Sequence, residues 1–216
     1  MLSISLSTYA QTMYYKINGD KPVDKTSYLK RKATTSKSGK LEELLLKTEK
    51  KKDSVIQYIR LTTISTTPDG FDPYGETKKY IGTRFQIEKF LNKNQKNFDK
   101  NFLSGKPTFI NFWFTKCPPC IEEIPLLNEL KAKFEDKANF ITITFNDDKT
   151  IEEFMKNQPF NFQHIPNSKK QIDELKISAF PTNLILDKNG IVKFVYGEIT
   201  YDVKDIEMIF EGLIEN

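Results

Sequence analysis

The stretch FINFWFTKCPPCIEEIP, residues 109–125, holds both cysteines of the chain, Cys117 and Cys120, with two prolines between them. Three readings are open to such a pair: a metal or haem site, two buried thiols, and a redox dithiol. A structural zinc site needs four ligands, and beside two Cys the chain has the single His164, so only a site bridging two copies could close. Covalent haem attachment calls for His directly after the second Cys, where Ile121 stands. Two small buried hydrophobes are the plainest reading. A redox dithiol is the third, and the spacing favours it. Cys117 falls just before a helix and Cys120 in its first turn, with Pro118 at the first helical position, where a missing N–H is no loss. A thiol there meets unpaired N–H groups and the positive end of the helix dipole, which favour thiolate. Lys116 adds a second positive influence. A fall in pKa from about 8.5 to about 7 raises the thiolate fraction at neutral pH to about half.

The surrounding sequence supplies elements to hold this pair. PTFINFWF (107–114), FITITF (140–145) and TNLILD (182–187) are near-continuous apolar runs, as expected for strands buried on both faces. Amphipathic helices are predicted over 118–135, 148–157 and 168–176. The chain ends in a hairpin through Asn189 and Gly190, a strand IVKFVY and a helix near 202–214. A βαβ unit followed by ββα implies a central mixed sheet covered by helices. The stretch TTPDGFDPYGE, residues 66–76, has the turn residues of a boundary. Before it, residues 13–75 read as a small α+β region: a strand at YYKI, a turn at Asn18 and Gly19, a helix from Asp24, a loop at 34–40, a helix at LEELLLKTEKK and a strand at SVIQYIRLTTI.

FINFWFTKCPPCIEEIP together with AFPTNLILD (179–187) resembles the thioredoxin superfamily, in particular its TlpA-like and ResA-like branch of extracytoplasmic thiol-disulfide oxidoreductases. The resemblance covers roughly residues 80–216. Trp113, four residues before Cys117, matches the family tryptophan beneath the active site. Pro125, eight residues after Cys117, matches the proline that kinks the active-site helix; it cannot donate to the Ile121 carbonyl, so a kink follows on steric grounds as well. Pro181 in Phe180–Pro181–Thr182 matches the cis-proline facing the dithiol, where the backbone of Phe180 pairs with an extended substrate. Pro181 lies 61 positions after Cys120, and the extra length around DDKTIEEFMKNQPFNFQHIP fits the insertion of the TlpA-like branch. The resemblance therefore implies a thioredoxin-like fold over 76–216, Cys117 and Cys120 as the catalytic pair, and Trp113, Phe180 and Pro181 at the substrate site, with Pro118 and Pro119 tuning the thiolate.

Departures from thioredoxin carry information. Asn111 stands where thioredoxin has a buried Asp, and Asn is no general base. Glu123, one helical turn after Cys120, matches the branch glutamate; partly buried, it would have a raised pKa and take the Cys120 proton, while as a solvated helix charge it would do nothing. Lys116 replaces the aromatic residue usual before the dithiol. The peroxidase pattern has Thr or Ser three residues before the reactive Cys, and here Phe114 stands there. The pair Asp147 and Asp148 reads as a helix N-terminus and His164 as structural. The implied reaction needs no bound cofactor beyond the Cys117–Cys120 disulfide, and its partners are a protein disulfide or thiol and a separate, membrane-linked electron donor.

The chain has 216 residues, 38% of them hydrophobic and 29% charged, enough for one domain and a smaller attachment with a real core. Its net charge is +4, with 13 Lys or Arg against 6 Asp or Glu between Lys16 and Arg60. This basic segment has no nucleic-acid-binding signature and reads as solvated surface. Residues 1–12 read as the remnant of a secretion signal with cleavage near Ala10, against the alternative of an ordinary disordered N-terminus; with the family resemblance, this implies a periplasm or cell envelope. The leading function is reduction of protein disulfides for redox homeostasis outside the cytoplasm. A disulfide oxidase or isomerase, and a non-catalytic thioredoxin-like scaffold that binds its partner through residues 13–75, are the competing readings.

Overall fold

The computed structural model describes residues 11–64, 71–90, 103 and 105–215. The expected signal remnant therefore lies almost wholly outside the described residues, as do 66–70 of the expected boundary. The chain divides into two compact units between Thr66 and Thr67.

The first unit is a three-stranded sheet with one helix. Strand β1 (Thr12–Ile17) leads through a turn with Asn18 at φ 51° and Gly19 at φ 82° to helix α1 (Lys25–Thr35), whose N-cap Asp24 accepts from Ser27 N at 2.7 Å. Strands β2 (Lys40–Lys50) and β3 (Ser54–Ile64) form an antiparallel hairpin, and β1 lies parallel to β3 on its other edge. Ile17, Tyr28, Ile59 and Leu61 form the core, with the Tyr15 and Tyr28 rings stacked at 4.1 Å. The helix expected at LEELLLKTEKK is thus a strand. Its leucines and glutamates favour helix only weakly, and the β-branched strand after the short Lys51–Asp53 turn offers a full antiparallel ladder from Lys40↔Ile64 to Lys50↔Val55. A bulge between Leu45 and Lys47 breaks the alternation, leaving Leu46 buried and Leu45 exposed.

The second unit begins with a short helix, α2 (Gly75–Lys78), before the main sheet. That sheet comprises β4 (Thr108–Phe112), β5 (Asn139–Ile143), β6 (Gln163–Ile165), β7 (Thr182–Leu186) and β8 (Val192–Tyr196), in the order β6-β5-β4-β7-β8. The β4–β5 and β5–β6 pairs are parallel, and β4–β7 and β7–β8 antiparallel. Helices α3 (Pro118–Phe134), α4 (Asp148–Met155), α5 (Lys169–Glu174) and α6 (Val203–Glu215) flank it. This is the thioredoxin-like fold, with α4 and β6 in the expected insertion. The edge strand β6 has only three residues, too few for an alternation to show in the sequence.

The central strands are apolar throughout because both faces are covered. On one face Ile110, Phe112, Ile141, Ile143, Leu184 and Leu186 pack with Phe85, Ile87 and Ile172. On the other, Phe109 and Phe140 meet Phe134 of α3 and Phe210 of α6, with ring centroids 5.4–6.3 Å apart.

Candidate active site

The β4 and β7 register sets Phe112 opposite Thr182. The loop that leaves β4 and the residue that enters β7 therefore emerge at the same end of neighbouring strands. The first carries Cys117 and Cys120, which are joined by a disulfide; the second carries Pro181, whose bond to Phe180 is cis. The Phe180 ring packs edge-on against Phe114 at 5.4 Å and Phe145 at 6.0 Å. Phe180 and Phe114 thus line the ground between dithiol and proline.

Cys117 is the N-cap of α3, and its carbonyl takes the first helical bond, from Ile121 N at 3.0 Å. Its own N–H is bonded to the Phe114 carbonyl at 3.1 Å. Pro118 and Pro119 have no N–H, so Cys120 N–H is the remaining first-turn donor that can face a Cys117 thiolate. Cys117 is 3% exposed and Cys120 1%, and Lys116 and Pro118 stand in solvent beside them. The loop before the dithiol is pinned from the insertion side: Trp113 N donates to Ile143 O, and Thr115 N to the Asn146 side chain at 2.9 Å.

Trp113 is fully buried among Phe154, Phe160 and His164. Its ring supports the loop from below and carries no surface that a substrate could touch, so it is moved from the substrate site to the floor of the site. His164 is half-buried between Thr142 Oγ1 at 2.7 Å and the Phe160 carbonyl at 2.9 Å. Burial lowers its pKa, against the pull of that carbonyl. Asp147 caps α4, accepting from Thr150 N at 2.8 Å.

Pro125 lies inside α3 and leaves the Ile121 carbonyl without its helical donor. Gln158 Nε2, from the insertion, donates to that carbonyl at 3.1 Å. One turn on, Asn128 holds the same segment at both ends, donating to Pro159 O and accepting from Asn161 N.

Beneath Cys120 lies a row of polar side chains. The strand registers align His164, Thr142, Asn111, Asn183 and Tyr196 across all five strands at one level. Glu123 descends from α3 onto the middle of this row and is wholly buried. Asn111 Nδ2 donates to Glu123 Oε1 and to Asn183 Oδ1, each at 2.8 Å. Asn183 Nδ2 approaches both Glu123 oxygens at 3.4 and 3.5 Å and donates to Gly197 O at 2.7 Å. Ile199 N donates to Glu123 Oε2 at 3.2 Å. Burial dominates these three donors and pushes the Glu123 pKa up from 4.5 to about 8, with a smaller push from the Glu198 charge. The solvated-charge reading of Glu123 is thereby excluded. Sequence reasoning named Asn111 and Glu123 but not Asn183, Ile199 or Asn146, whose roles depend on strand register and on loop backbone.

No helix among the described residues is long and apolar enough to cross a membrane. The thiol-disulfide oxidoreductase ResA of a Bacillus cereus strain is 34% identical over 110 residues, 49% of this chain and 63% of the relative. ResA of Bacillus subtilis is 31% identical over 111 residues, 50% of this chain and 62% of the relative. The chain thus spans less than two thirds of the length of these relatives. A solved thiol:disulfide interchange protein, a thioredoxin family protein from Chlorobium tepidum TLS, is 24% identical with a TM-score of 0.46, covering 54% of this chain and 86% of that one. The sequence pattern of the AhpC/TSA family runs from residue 81 to residue 195, from ahead of the sheet to its last strand and through both the dithiol and the proline opposite it. By a match over more than half its length, the chain belongs to the AhpC/TSA family.

Proposed function

We propose that the chain is a thiol-disulfide oxidoreductase that reduces protein disulfides outside the cytoplasm through Cys117 and Cys120. The observation that carries this reading is the juxtaposition of the CPPC pair with Pro181 above a buried carboxyl one turn from Cys120. The relatives named ResA support the same class, and the resemblance to the TlpA-like and ResA-like branch supports the extracytoplasmic setting.

In the reduced protein, the Cys117 thiolate attacks one sulfur of a substrate disulfide. A Cys117–substrate bond forms, and the other substrate sulfur leaves as thiolate and takes a proton. The substrate strand lies along Phe180 and Pro181. Cys120 then gives its proton to the Glu123 carboxylate and attacks Cys117, expelling the second substrate sulfur and leaving the intramolecular disulfide. A Glu123 pKa of about 8 lies close to that of an ordinary thiol, about 8.5, so the transfer is nearly balanced in either direction. In the oxidised state Glu123 holds that proton. When one thiol of a donor dithiol attacks Cys117, Cys120 leaves as thiolate and recovers the proton from Glu123, and the donor's second thiol then breaks the Cys117–donor bond, forming the donor disulfide and releasing the Cys117 thiolate. Both electrons reside in the sulfur pair, so the cycle needs no bound cofactor, only a thiol electron donor, which in the envelope would be linked to the membrane.

The two prolines support the reducing direction. A dithiol becomes a strong oxidant when its reduced form is stabilised, and Pro118 and Pro119 remove two of the N–H groups that would stabilise the Cys117 thiolate. Phe114, packed on Phe180 three residues before Cys117, presents an apolar wall where a thiol peroxidase has a hydroxyl. The test is a redox titration of the pair with an insulin-reduction assay. A potential near about −270 mV with turnover supports the reductase, whereas a value near about −120 mV would make the protein a disulfide donor. An inert pair would leave only a scaffold.

A further inference from the structure

Glu123 lies one helical turn after the equally buried Cys120 and is held on the sheet side by Asn111 and Asn183. The remaining side is the loop after β8, residues 197–199, which supplies the Ile199 N–H donor to the carboxyl and the Gly197 carbonyl that fixes Asn183. Over this loop stands Tyr74. A Cβ built on Gly197 would run into the Tyr74 hydroxyl oxygen and lie 2.6 Å from Cζ, so the end of the Tyr74 ring fills the space a side chain would take. Gly197 is not among the glycines with positive φ, and its backbone makes no demand for glycine. The phenol does.

Tyr74 is itself held. Asp72 Oδ1 accepts from Tyr74 N at 2.9 Å, Asp72 Oδ2 from Lys78 Nζ at 3.0 Å, and the Tyr74 carbonyl from Lys78 N at 2.8 Å. The short α2 that follows packs against β8. The geometry points to Tyr74 as a positioning residue of the dithiol site: its ring, seated on Gly197, closes the last side of the Glu123 chamber and keeps that carboxyl dry and protonated while the cysteines are oxidised. This deepens the proposed role of Glu123 and rests on it. The charged and titratable groups facing the chamber are few. Glu198 is exposed on the same loop, the Tyr74 phenol lies over Gly197, Tyr196 ends the polar row beside Asn183, and Asp72, paired with Lys78, holds the Tyr74 backbone N–H. The phenol pKa is raised by burial first and then by the charges of Glu123, Asp72 and Glu198, which places all four in one shared field.

Two perturbations open the chamber differently. Tyr74→Ala removes the cover. Gly197→Ala leaves the cover in the chain but displaces it, since the atoms in the way are the free end of one side chain. Tyr74→Phe keeps the ring. The readout is the carboxyl titration of Glu123 in the oxidised protein, by ¹³C NMR of glutamate-labelled samples, with the resonance assigned by its loss in Glu123→Gln. Water entry relieves the burial that raises the pKa, so Tyr74→Ala and Gly197→Ala are expected to lower it by about one unit or more, tenfold in proton affinity. Tyr74→Phe is expected to leave it in place. Unchanged titration in both opening variants would overturn the proposal, as would a fall in Tyr74→Phe equal to that in Tyr74→Ala. Should one opening variant fail to fold, the other decides. The titration does not depend on turnover, so an enzymatically inert wild type would refute the reductase while leaving this test intact.

Discussion

Replacing Glu123 by Gln should change how the stability of the second unit depends on pH. In the unfolded chain the carboxyl releases its proton near 4.5, whereas the fold holds it to about 8. Between these values the native state binds one more proton than the unfolded state, so unfolding free energy falls as pH rises. The stability associated with this group is complete below about pH 4.5 and lost above about pH 8. At about 1.4 kcal/mol per unit, the loss totals roughly 5 kcal/mol, of which roughly 3 is gone by about pH 7. Glutamine keeps the size of the neutral acid and an oxygen for Asn111, but it binds no proton in either state. Urea unfolding of oxidised wild type and Glu123→Gln, followed by the fluorescence of Trp113, the single tryptophan of the chain, isolates the term, since all other titrations are common to both proteins. Between pH 4.5 and 8 the variant should gain on wild type by several kcal/mol. Parallel curves across that window would refute the assignment of a buried, protonated Glu123.

Cys120→Ser should retain attack by Cys117 and accumulate a mixed disulfide visible on a non-reducing gel, while Cys117→Ser forms none; equal trapping by both would reverse their order. Asn183→Ala removes the donor to Gly197 O and two approaches to Glu123, and should cost about 1–3 kcal/mol while raising the Glu123 pKa further, read by the same carboxyl titration. Gln158→Ala should destabilise wild type by about 1 kcal/mol but leave Pro125→Ala nearly unaffected, because an alanine in place of the proline restores an N–H for the Ile121 carbonyl; an additive double-mutant cycle would contradict this. In the Glu123→Gln background, stability should decline as pH falls below about 6.5, because the unfolded chain protonates His164 while the fold keeps it neutral. His164→Gln should flatten that decline in the same urea titration.

The candidate-site end of the molecule was readable because its determinants are local. Apolar runs buried on both faces marked β4, β5 and β7, and proline positions fixed where α3 begins and bends. The polar row beneath the site was not readable. Asn111 and Asn183 become neighbours only through the antiparallel register of β4 and β7, and Ile199 acts through its backbone, which no side-chain pattern betrays. The helix expected at LEELLLKTEKK failed for a related reason: its helical preference is a few tenths of a kcal/mol per residue, and a complete ladder with β3 outweighs it. Tyr74 carried no signal in the sequence, since only the fold shows that Gly197 has no backbone need for glycine and that the Tyr74 phenol fills the space of a side chain there.

The bond from Gln158 to the Ile121 carbonyl lets the insertion stand in for the amide that Pro125 lacks. With Asn128 holding Pro159 and Asn161 one turn on, three bonds splice the bent part of α3 to the insertion. Chimaeras made from this chain should therefore be cut outside residues 118–161 rather than within them.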